Sequence, residues 1–467
     1  MTTQSRYDVV IVGARCSGAT LATLLARSGA FVLLLDKDAR STDQILSTHT
    51  IHPPGLDVLD EVGVGDAVRA VAAPMHLVRL RKNEAFVDIE FSGGKAEYCP
   101  RRARLDGLLQ AAAVSAGVEV LDRMRVTSLV RDGDRVVGVR AAGRAGHEHM
   151  FRASLVVGAD GRHSTVARQV EAEEYLAYDA PRAMFWGYWN APAIWREPDY
   201  PFGMYVANTD GHIRVIFHTD HDQLLIGSLP PVEQALAWRA DPEAALTGDL
   251  ASDATTGPLV AGAAPVGPVR GTLKERYFFR RGAGNGWTLV GDAGHHKEFV
   301  IGDGITEALL QARSLASAIQ GGTDAALHRW WRARDVDALP FFFLGQDEGA
   351  LGPPTELQQV VFSHVAKTPA LRARMAATIE HQLSPTDTFP IRHVLWWTLG
   401  AALRGSPGVV PEFLAKGRRA TAINRELRLR RRLLAEAEAS QGTSRTAGDE
   451  ARERVMPRTA WSGKERP

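Results

Sequence analysis

Residues 9–20, VVIVGARCSGAT, constrain the fold of this chain more than any other stretch. An apolar run breaks at Gly13 and small residues follow it, which is the pattern of a buried strand that turns into a helix. The next apolar run, residues 31–35, ends at Asp36. Residues 9–36 are therefore predicted to form a strand, turn, helix and strand, the unit from which parallel sheets are built.

The turn of this unit resembles a dinucleotide-binding loop. In such a loop the first glycine makes the turn, the second lets the backbone approach a pyrophosphate, and the third lets helix and strand pack closely. Gly13 and Gly18 occupy the first and third positions, and Arg15 stands at the second. The remaining residues are small enough to leave amide groups exposed at the helix start, where phosphate binds: Ala14, Cys16 and Ser17.

Asp36 adds a second nucleotide signal. It lies 23 residues beyond Gly13, near the spacing at which a carboxylate accepts hydrogen bonds from ribose hydroxyls. Taken alone, the loop and Asp36 are compatible with FAD, with NAD and with an ordinary turn of a parallel sheet.

Two later segments also place acidic residues just beyond a buried strand. Asp160 stands in VVGADGRHSTVAR, and Asp292 stands in TLVGDAGHHKEFVIGDGITEALLQA, which runs through Gly302 and Gly304 into a helix. Because ligands bind at the carboxyl edge of doubly wound sheets, we expect the three strand ends to meet there around one ligand.

Together the three segments, in this order and spacing, resemble the FAD-dependent monooxygenases of the para-hydroxybenzoate hydroxylase type, which are related to geranylgeranyl reductases and flavin-dependent halogenases. The resemblance covers roughly residues 5–330, and the loop form with Arg15 is similar to one branch of that superfamily. It implies an α/β fold: a Rossmann-like FAD-binding domain with an inserted antiparallel-sheet substrate domain and a helical C-terminal segment.

By position, the resemblance implies FAD-binding roles for sixteen residues. These are Gly13, Ala14, Cys16, Ser17 and Gly18 for the pyrophosphate; Asp36 and Lys37 for the ribose; Arg102 for a phosphate or the ribityl chain; Val126 for adenine; Asp160 and Gly161 in the GADG motif; Gly291 and Asp292 for the ribityl chain; and Gly302, Gly304 and Ile305 at the helix start facing the flavin. Three positions depart from the usual pattern and leave the reacting edge less defined: Phe299 replaces proline, Thr306 asparagine and Gln311 aspartate.

Histidines near these motifs are candidates for proton transfer. His49 in STHTIH and His296 in GDAGHHKEF are predicted to be catalytic, with His295 as an alternative and a purely structural role open for each. Lys297 and Glu298 are predicted to form a local ion pair.

The pattern divides the chain into four parts. They are residues 1–75, 100–172 and 286–330 as the FAD-binding domain; 76–99 and 173–285, with short strands such as KAEYC, as the antiparallel β substrate domain; 331–439 as the helical region; and 440–467 as a disordered tail. HVLWWTLGAAL at 393–403 is predicted to be a buried helix, and the basic stretch 423–439 a packed helix with a solvated face.

Charge and cysteine content limit the kinds of ligand and partner that we expect for this chain. Lys+Arg 55 against Asp+Glu 54 give a formal net charge of +1, so no global field attracts nucleic acid or an anionic membrane. The cysteines, Cys16 and Cys99, are too few for a disulfide framework or a zinc site, and no metal is expected. No apolar stretch approaches the roughly 20 residues of a membrane span. We expect a cytoplasmic protein with a small apolar or aromatic substrate.

The function implied by the resemblance is that of an NAD(P)H- and O2-using monooxygenase that hydroxylates an aromatic or polyketide-like molecule in secondary metabolism. A single dinucleotide loop implies that NAD(P)H meets the flavin transiently. Three alternatives stay open: an FAD-containing cyclase without net redox change, an isoprenoid double-bond reductase, and a flavin-carrying binding protein.

Overall fold

The structure, a computed structural model, describes residues 6–40, 49–144, 146–197 and 203–439. The predicted disordered tail at 440–467 lies outside these residues. The strands, in chain order, are β1 (Arg6–Val12), β2 (Val32–Leu35), β3 (Leu77–Lys82), β4 (Ala85–Glu90), β5 (Glu119–Leu121), β6 (Arg125–Asp132), β7 (Arg135–Ala142), β8 (Glu148–Gly158), β9 (Glu174–Asp179), β10 (Met184–Asn190), β11 (Met204–Thr209), β12 (His212–His218), β13 (Gln223–Leu229), β14 (Arg270–Thr272), β15 (Arg276–Arg280), β16 (Ala283–Gly284), β17 (Trp287–Leu289) and β18 (His295–His296).

The α-helices, in chain order, are α1 (Cys16–Arg27), α2 (Pro53–Glu61), α3 (Gly65–Arg69), α4 (Arg102–Ser115), α5 (Thr165–Gln169), α6 (Val232–Trp238), α7 (Pro242–Ser252), α8 (Gly257–Val260), α9 (Gly304–Gln320), α10 (Asp324–Glu348), α11 (Glu356–Lys367), α12 (Pro369–Ile379), α13 (Ile391–Leu403) and α14 (Val409–Ala439).

The first sheet has the order β16-β17-β8-β1-β2-β5, and the β6–β7 hairpin joins it through β8. Strand β1 pairs in parallel with both β2 and β8, and its last four residues are fully buried or nearly so. The paired parts of these strands are rich in Val, Ile and Leu because both faces of the sheet are covered. Helices α1, α4 and α9 pack on one face, and the β6–β7 hairpin with α5 packs on the other. The predicted Rossmann-like α/β domain is confirmed.

The register of this sheet brings the three predicted site segments together. Val12 lies level with both Leu35 and Gly158, and Leu289 also pairs with Gly158. The chain therefore leaves β1, β2, β8 and β17 at one carboxyl edge. The convergence that the sequence predicted is present.

The second sheet has the order β14-β10-β13-β12-β11-β3-β4. Its neighbours are antiparallel except for β3 and β11, which pair in parallel. The sheet is thus mixed, because β3 and β4 enter from an earlier part of the chain and join the edge strand β11. The predicted strand KAEYC is wrong: residues 95–99 form only isolated bridges, Met75 to Glu97 and Ile51 to Tyr98.

A third, three-stranded sheet of order β18-β15-β9 was not predicted. It uses residues from both sides of the proposed domain boundary at 285, and β16 of the first sheet also precedes that boundary. The two predicted domains are therefore connected through residues 276–296, which we call the seam. The sequence pattern had placed a single boundary between them at residue 285.

The C-terminal helices pack on the second and third sheets. α10 continues through Pro340, and the aromatic side chains of Phe342 and Phe279 are in contact across its inner face. Leu427 of α14 is buried beside them, which agrees with the predicted packed basic helix. The prediction that 393–403 is a buried helix is wrong in one respect: α13 is a helix, but Trp396 is 71% and Leu403 is 89% exposed.

Arg182 connects the second sheet to the end of α10. Its side chain is fully buried, and it donates hydrogen bonds to four backbone carbonyls: Gly349 (2.9 Å), Gly211 (2.9 Å), Leu229 (3.0 Å) and Ala350 (2.8 Å). A planar guanidinium suits this arrangement because its N–H groups diverge in fixed directions.

Arg182→Met is expected to lower the free energy of unfolding by about 3 kcal/mol or more, because four buried carbonyl oxygens lose their donor. Chemical denaturation measures this change. Arg140→Met, which removes an exposed ion pair with Glu148, is the matched control and should cost less than about 1 kcal/mol. Equal losses in the two variants would contradict the connecting role of Arg182.

Candidate cofactor and active site

A cavity of about 440 Å³ opens at the carboxyl edge of the first sheet. Most of the predicted site residues line it: Gly13, Cys16, Ser17, Asp36, Lys37, Arg102, Val126, Asp160, Gly161, Asp292, His296, Gly302, Gly304 and Ile305. Four predicted residues, Ala14, Gly18, Gly291 and His49, are not among its lining residues.

The glycines of the loop act by close packing. Gly13 has a φ of 107°, and a Cβ there would lie 2.3 Å from the carbonyl oxygen of Ala159. A Cβ at Gly18 would lie 1.8 Å from the carbonyl oxygen of Gly13. Gly18 therefore lets α1 approach the strand ends, as the third glycine of such a loop should, without lining the cavity.

Asp36 holds the two strand ends together. Its carboxylate accepts hydrogen bonds from the backbone N–H of Ala14 (2.7 Å) and of Asp38 (2.9 Å). Ala14 thus points its amide at Asp36, which explains why Ala14 supports the cavity from outside the lining.

Arg15 is held by two carboxylates. Its guanidinium lies 3.1 Å from Asp38 and 3.0 Å from Asp106. Asp106 is fully buried and also accepts hydrogen bonds from Arg102 at 3.1 and 3.2 Å. The two arginines share this carboxylate, and Arg15 has Asp38 as a second partner, so two guanidinium groups and two carboxylates balance in charge at the start of α1.

Arg102 is the better placed of the two arginines to meet an anion. Burial lowers the pKa of its guanidinium, but Asp106 raises the pKa more, so the group stays charged. Its Nε is buried and has no hydrogen-bond partner among the described residues. A buried donor without a partner at a cavity wall favours an acceptor on the ligand.

Asp160 has a local structural role in addition to its place on the cavity wall. Its carboxylate accepts hydrogen bonds from the Ser164 hydroxyl (2.5 Å) and the Thr165 backbone N–H (2.6 Å). Burial raises its pKa. The carboxylate is therefore largely used at the start of α5, and the neighbouring Gly161, with a φ of 78° and open space at its Cβ position, borders the cavity.

His296 lies between two carboxylates. Its Nδ1 is 3.4 Å from Asp292 and its Nε2 is 3.5 Å from Glu275. Burial lowers the pKa of His296, but the two carboxylates raise it more, to about 9. Burial raises the pKa of Asp292, but His296, Arg162 and Arg102 together lower this pKa by more, so it lies below its ordinary value. At neutral pH the cavity therefore has a protonated histidine in its wall.

Lys297 pairs with carboxylates at the start of α9. Its ammonium contacts Asp303 and lies 2.5 Å from Glu307. The predicted ion pair between Lys297 and Glu298 is wrong, because adjacent residues in this extended segment point to opposite sides. Asp303 also accepts a hydrogen bond from His381 at 2.8 Å.

Glu298 is the site residue whose role the sequence missed. Its carboxyl is 1% exposed, lines the cavity and accepts a 3.0 Å hydrogen bond from the Tyr277 hydroxyl. Burial raises its pKa to about 7. No local pattern signals this, because the apolar surroundings come from β15 and α10; the aromatic run YFF at 277–279 was the available hint.

The other two histidines lie in packed surroundings. His49 is buried, with its Nε2 2.5 Å from the Tyr188 hydroxyl and its ring against Trp186. His295 stacks on Phe279 with ring centroids 4.2 Å apart, and burial lowers its pKa well below the usual value. Neutral His295 lines the cavity, whereas His49 belongs to the interior of the second sheet.

The cavity fits the FAD that the sequence implies. Gly304 is the first residue of α9 and lines the cavity, and no atom lies within 4 Å of the position that a Cβ would take there. The helix N-terminus and its dipole therefore border the cavity. The start of α1, Arg102 and Asp36 supply amides, a cation and a carboxylate where a diphosphate and a ribose need them.

Comparison with known proteins agrees with this geometry. Residues 6–210 match the family model described as "FAD binding domain". The chain is 33% identical to 6-methylpretetramide 4-monooxygenase from Streptomyces rimosus over 168 residues, 34% of this chain and 40% of that protein. It is 24% identical to digeranylgeranylglycerophospholipid reductase from Methanothrix thermoacetophila over 429 residues, 84% of this chain and 100% of that protein.

The matched segments span about two fifths of the length of the Streptomyces monooxygenase and of the Methanosarcina reductases that are 30% identical. Among solved structures, the myxobacterial chondrochloren halogenase superposes with a TM-score of 0.67 at 20% identity, covering 84% of this chain and 96% of that one. Within the described residues, no helix is long and apolar enough to cross a bilayer. Residues 6–210 are therefore an FAD binding domain, and the chain shares its fold with the flavin-dependent halogenase.

Proposed function

We propose that the protein is an NAD(P)H- and O2-using monooxygenase that binds FAD and hydroxylates an aromatic or polyketide-like small molecule. One observation carries the proposal: the same cavity is lined by the dinucleotide loop at Gly13 and Asp36 and by the buried ionisable groups His296 and Glu298. Cofactor binding and proton transfer thus share one enclosed space.

The residues of the loop bind and orient the cofactor. Asp36 would accept hydrogen bonds from the ribose, and the α1 amides with Arg102 would hold the diphosphate. FAD would supply the redox chemistry when it is bound. The N-terminus of α9 at Gly304 would favour negative charge on a group bound beside it.

His296 and Glu298 hold protons at the far end of the cavity. His296 is a cation at neutral pH, whereas Glu298 titrates near pH 7 and can take or give a proton there. Met184 and Phe299 line the same cavity, so an apolar or aromatic substrate finds both a packing surface and a proton acceptor.

Reduction of an isoprenoid double bond is the second candidate. It is favoured by the match along the whole length of a digeranylgeranylglycerophospholipid reductase. Glu298 serves this reaction as a proton donor, so the geometry of the cavity suits both candidates.

Substrate-dependent consumption of NAD(P)H and O2 tests the proposal. Stimulated consumption of both, with oxygen incorporated into the product, supports hydroxylation. Consumption of NAD(P)H without oxygen incorporation supports the reductase. Product formed without consumption of either supports a cyclase, and no turnover with any ligand supports a flavin-carrying binding protein.

Gly304→Leu is expected to lower FAD affinity by about tenfold or more, because the new side chain projects into open space at the cavity wall. Cofactor absorbance after desalting measures the retained FAD, and the melting temperature of the apoprotein measures whether the fold is intact. Gly248→Leu, on α7 and also without neighbours at its Cβ position, is the control and should retain FAD. Equal retention by both variants would place FAD elsewhere.

Arg15→Gly is expected to retain FAD, because the Arg15 guanidinium is already paired with Asp38 and Asp106. Arg102→Gln, by contrast, removes a buried donor at the cavity and should weaken FAD binding by about tenfold. Flavin titration of the apoproteins compares the two. If Arg15→Gly loses the cofactor, the guanidinium of Arg15 is itself a phosphate ligand.

Glu298→Gln is expected to change how stability depends on pH. The Glu298 pKa is raised in the folded state to about 7, so the folded protein retains a proton that the unfolded chain loses near pH 4.5. Ionisation of Glu298 therefore destabilises the native protein as pH rises from about 4.5 to 7, by on the order of 2–3 kcal/mol. Relative to the native protein, the variant should gain that amount between pH 5 and pH 8 in chemical denaturation. A constant difference across this range would show that Glu298 titrates normally.

A further inference from the structure

Helix α13 presents a row of large apolar side chains to solvent. Its exposed face consists of Ile391 (66% exposed), Leu395 (42%), Trp396 (71%), Leu399 (43%) and Leu403 (89%). Four of these residues follow one another at intervals of four, so they form a single stripe along the helix. We call this set the α13 face. On the adjoining first turns of α14, Val410 and Leu414 are 38% and 56% exposed.

The fold itself does not need the α13 face. The opposite side of the helix already packs on the protein: Trp397 stacks on His364 with ring centroids 4.8 Å apart, and Thr398 and Ala401 are buried. The two adjacent tryptophans therefore point in different directions, one inward and one outward. Contiguous exposed apolar patches of this kind mark interaction surfaces.

The charge around the α13 face and the first half of α14 is mainly positive. Residues 387–425 contain six cations, Arg392, Arg404, Lys416, Arg418, Arg419 and Arg425, and two carboxylates, Asp387 and Glu412. Two of those cations, Lys416 and Arg419, pair with Asp347. Among the described residues, Arg392, Arg404, Arg418 and Arg425 make no ion pair. The whole chain has a net charge of only +1, but residues 387–425 carry a local excess of cations.

We propose that the α13 face docks the protein onto the surface of an anionic lipid bilayer. Leucine, isoleucine and tryptophan side chains enter the boundary between headgroups and acyl chains, while the surrounding arginines meet anionic headgroups. The helix lies in the plane of the interface and does not span the bilayer. A second copy of the chain fits less well, because each of the two surfaces carries six cations against two carboxylates in residues 387–425, and like charges would meet.

This inference is independent of the proposed reaction. It concerns a surface formed by α13 and the start of α14, which pack beside α11 on the second sheet. An apolar substrate dissolved in a membrane would be concentrated at such a surface, but the docking itself does not depend on which reaction the cavity performs.

Co-sedimentation of the full chain with vesicles tests the docking. Vesicles of phosphatidylcholine mixed with phosphatidylglycerol should bind the protein at low salt, and vesicles of phosphatidylcholine alone should bind it several-fold more weakly. Binding should weaken as salt rises, because exposed charges are screened. Leu403→Asp and Trp396→Asp should each weaken binding about tenfold, since each removes apolar contact and adds a like charge to that of the headgroups.

Leu236→Asp on α6 is the matched control, because Leu236 is 56% exposed and lies outside the α13 face; it should bind as the native chain does. Arg392→Gln/Arg404→Gln should reduce the preference for phosphatidylglycerol while keeping the weak binding to phosphatidylcholine. All variants should retain the native melting temperature because the altered side chains are exposed.

Three results would overturn the proposal. Absence of vesicle binding together with a dimer, detected by light scattering, that Leu403→Asp converts to monomer would assign the α13 face to a second copy. Absence of vesicle binding by a monomeric chain would assign it to no lipid surface at all. Vesicle binding that Leu403→Asp and Trp396→Asp leave unchanged would also reject this face as the docking site.

Discussion

The parallel pairing of β1 with β2 and β8 is the constraint on which the site depends. Hydrogen bonds between these strands place Val12, Leu35 and Gly158 at one level, so three segments far apart in sequence end at the same edge. Close packing then completes the edge: no side chain larger than hydrogen fits at Gly13 or Gly18. Gly13, where the backbone segments come this close, lines the cavity.

Charge organises the walls of that cavity in two separate groups. At the α1 end, Arg15 and Arg102 share the buried carboxylate of Asp106, and Arg15 also pairs with Asp38, so both guanidinium groups are held in place beside the α1 amides. At the opposite end, Asp303 and Glu307 neutralise Lys297 at the start of α9. His296 stays protonated at neutral pH, whereas Glu298, whose pKa burial raises to about 7, can gain or lose a proton there.

The seam at residues 276–296 explains why both ends of the cavity lie within one enclosure. Strand β15 pairs with β9 and with β18, so the third sheet joins the second module to the segment that carries His296. Tyr277 on β15 reaches Glu298 across this seam. The second sheet and the loop at Gly13 are thereby held together, and Arg182 fixes the end of α10 to the second sheet.

The sequence by itself determined the α/β fold, the loop at Gly13 and the strand-end carboxylates Asp36 and Asp292, because these depend on local apolar runs, glycine positions and spacing within single units. Tertiary structure alone decided that Arg15 pairs with Asp38 and Asp106, that Lys297 turns away from Glu298, that His49 lies off the cavity, and that α13 keeps an apolar face in solvent. Each of these depends on which distant element packs against the residue, and therefore on burial and charge contributed by other parts of the chain, which local periodicity does not encode.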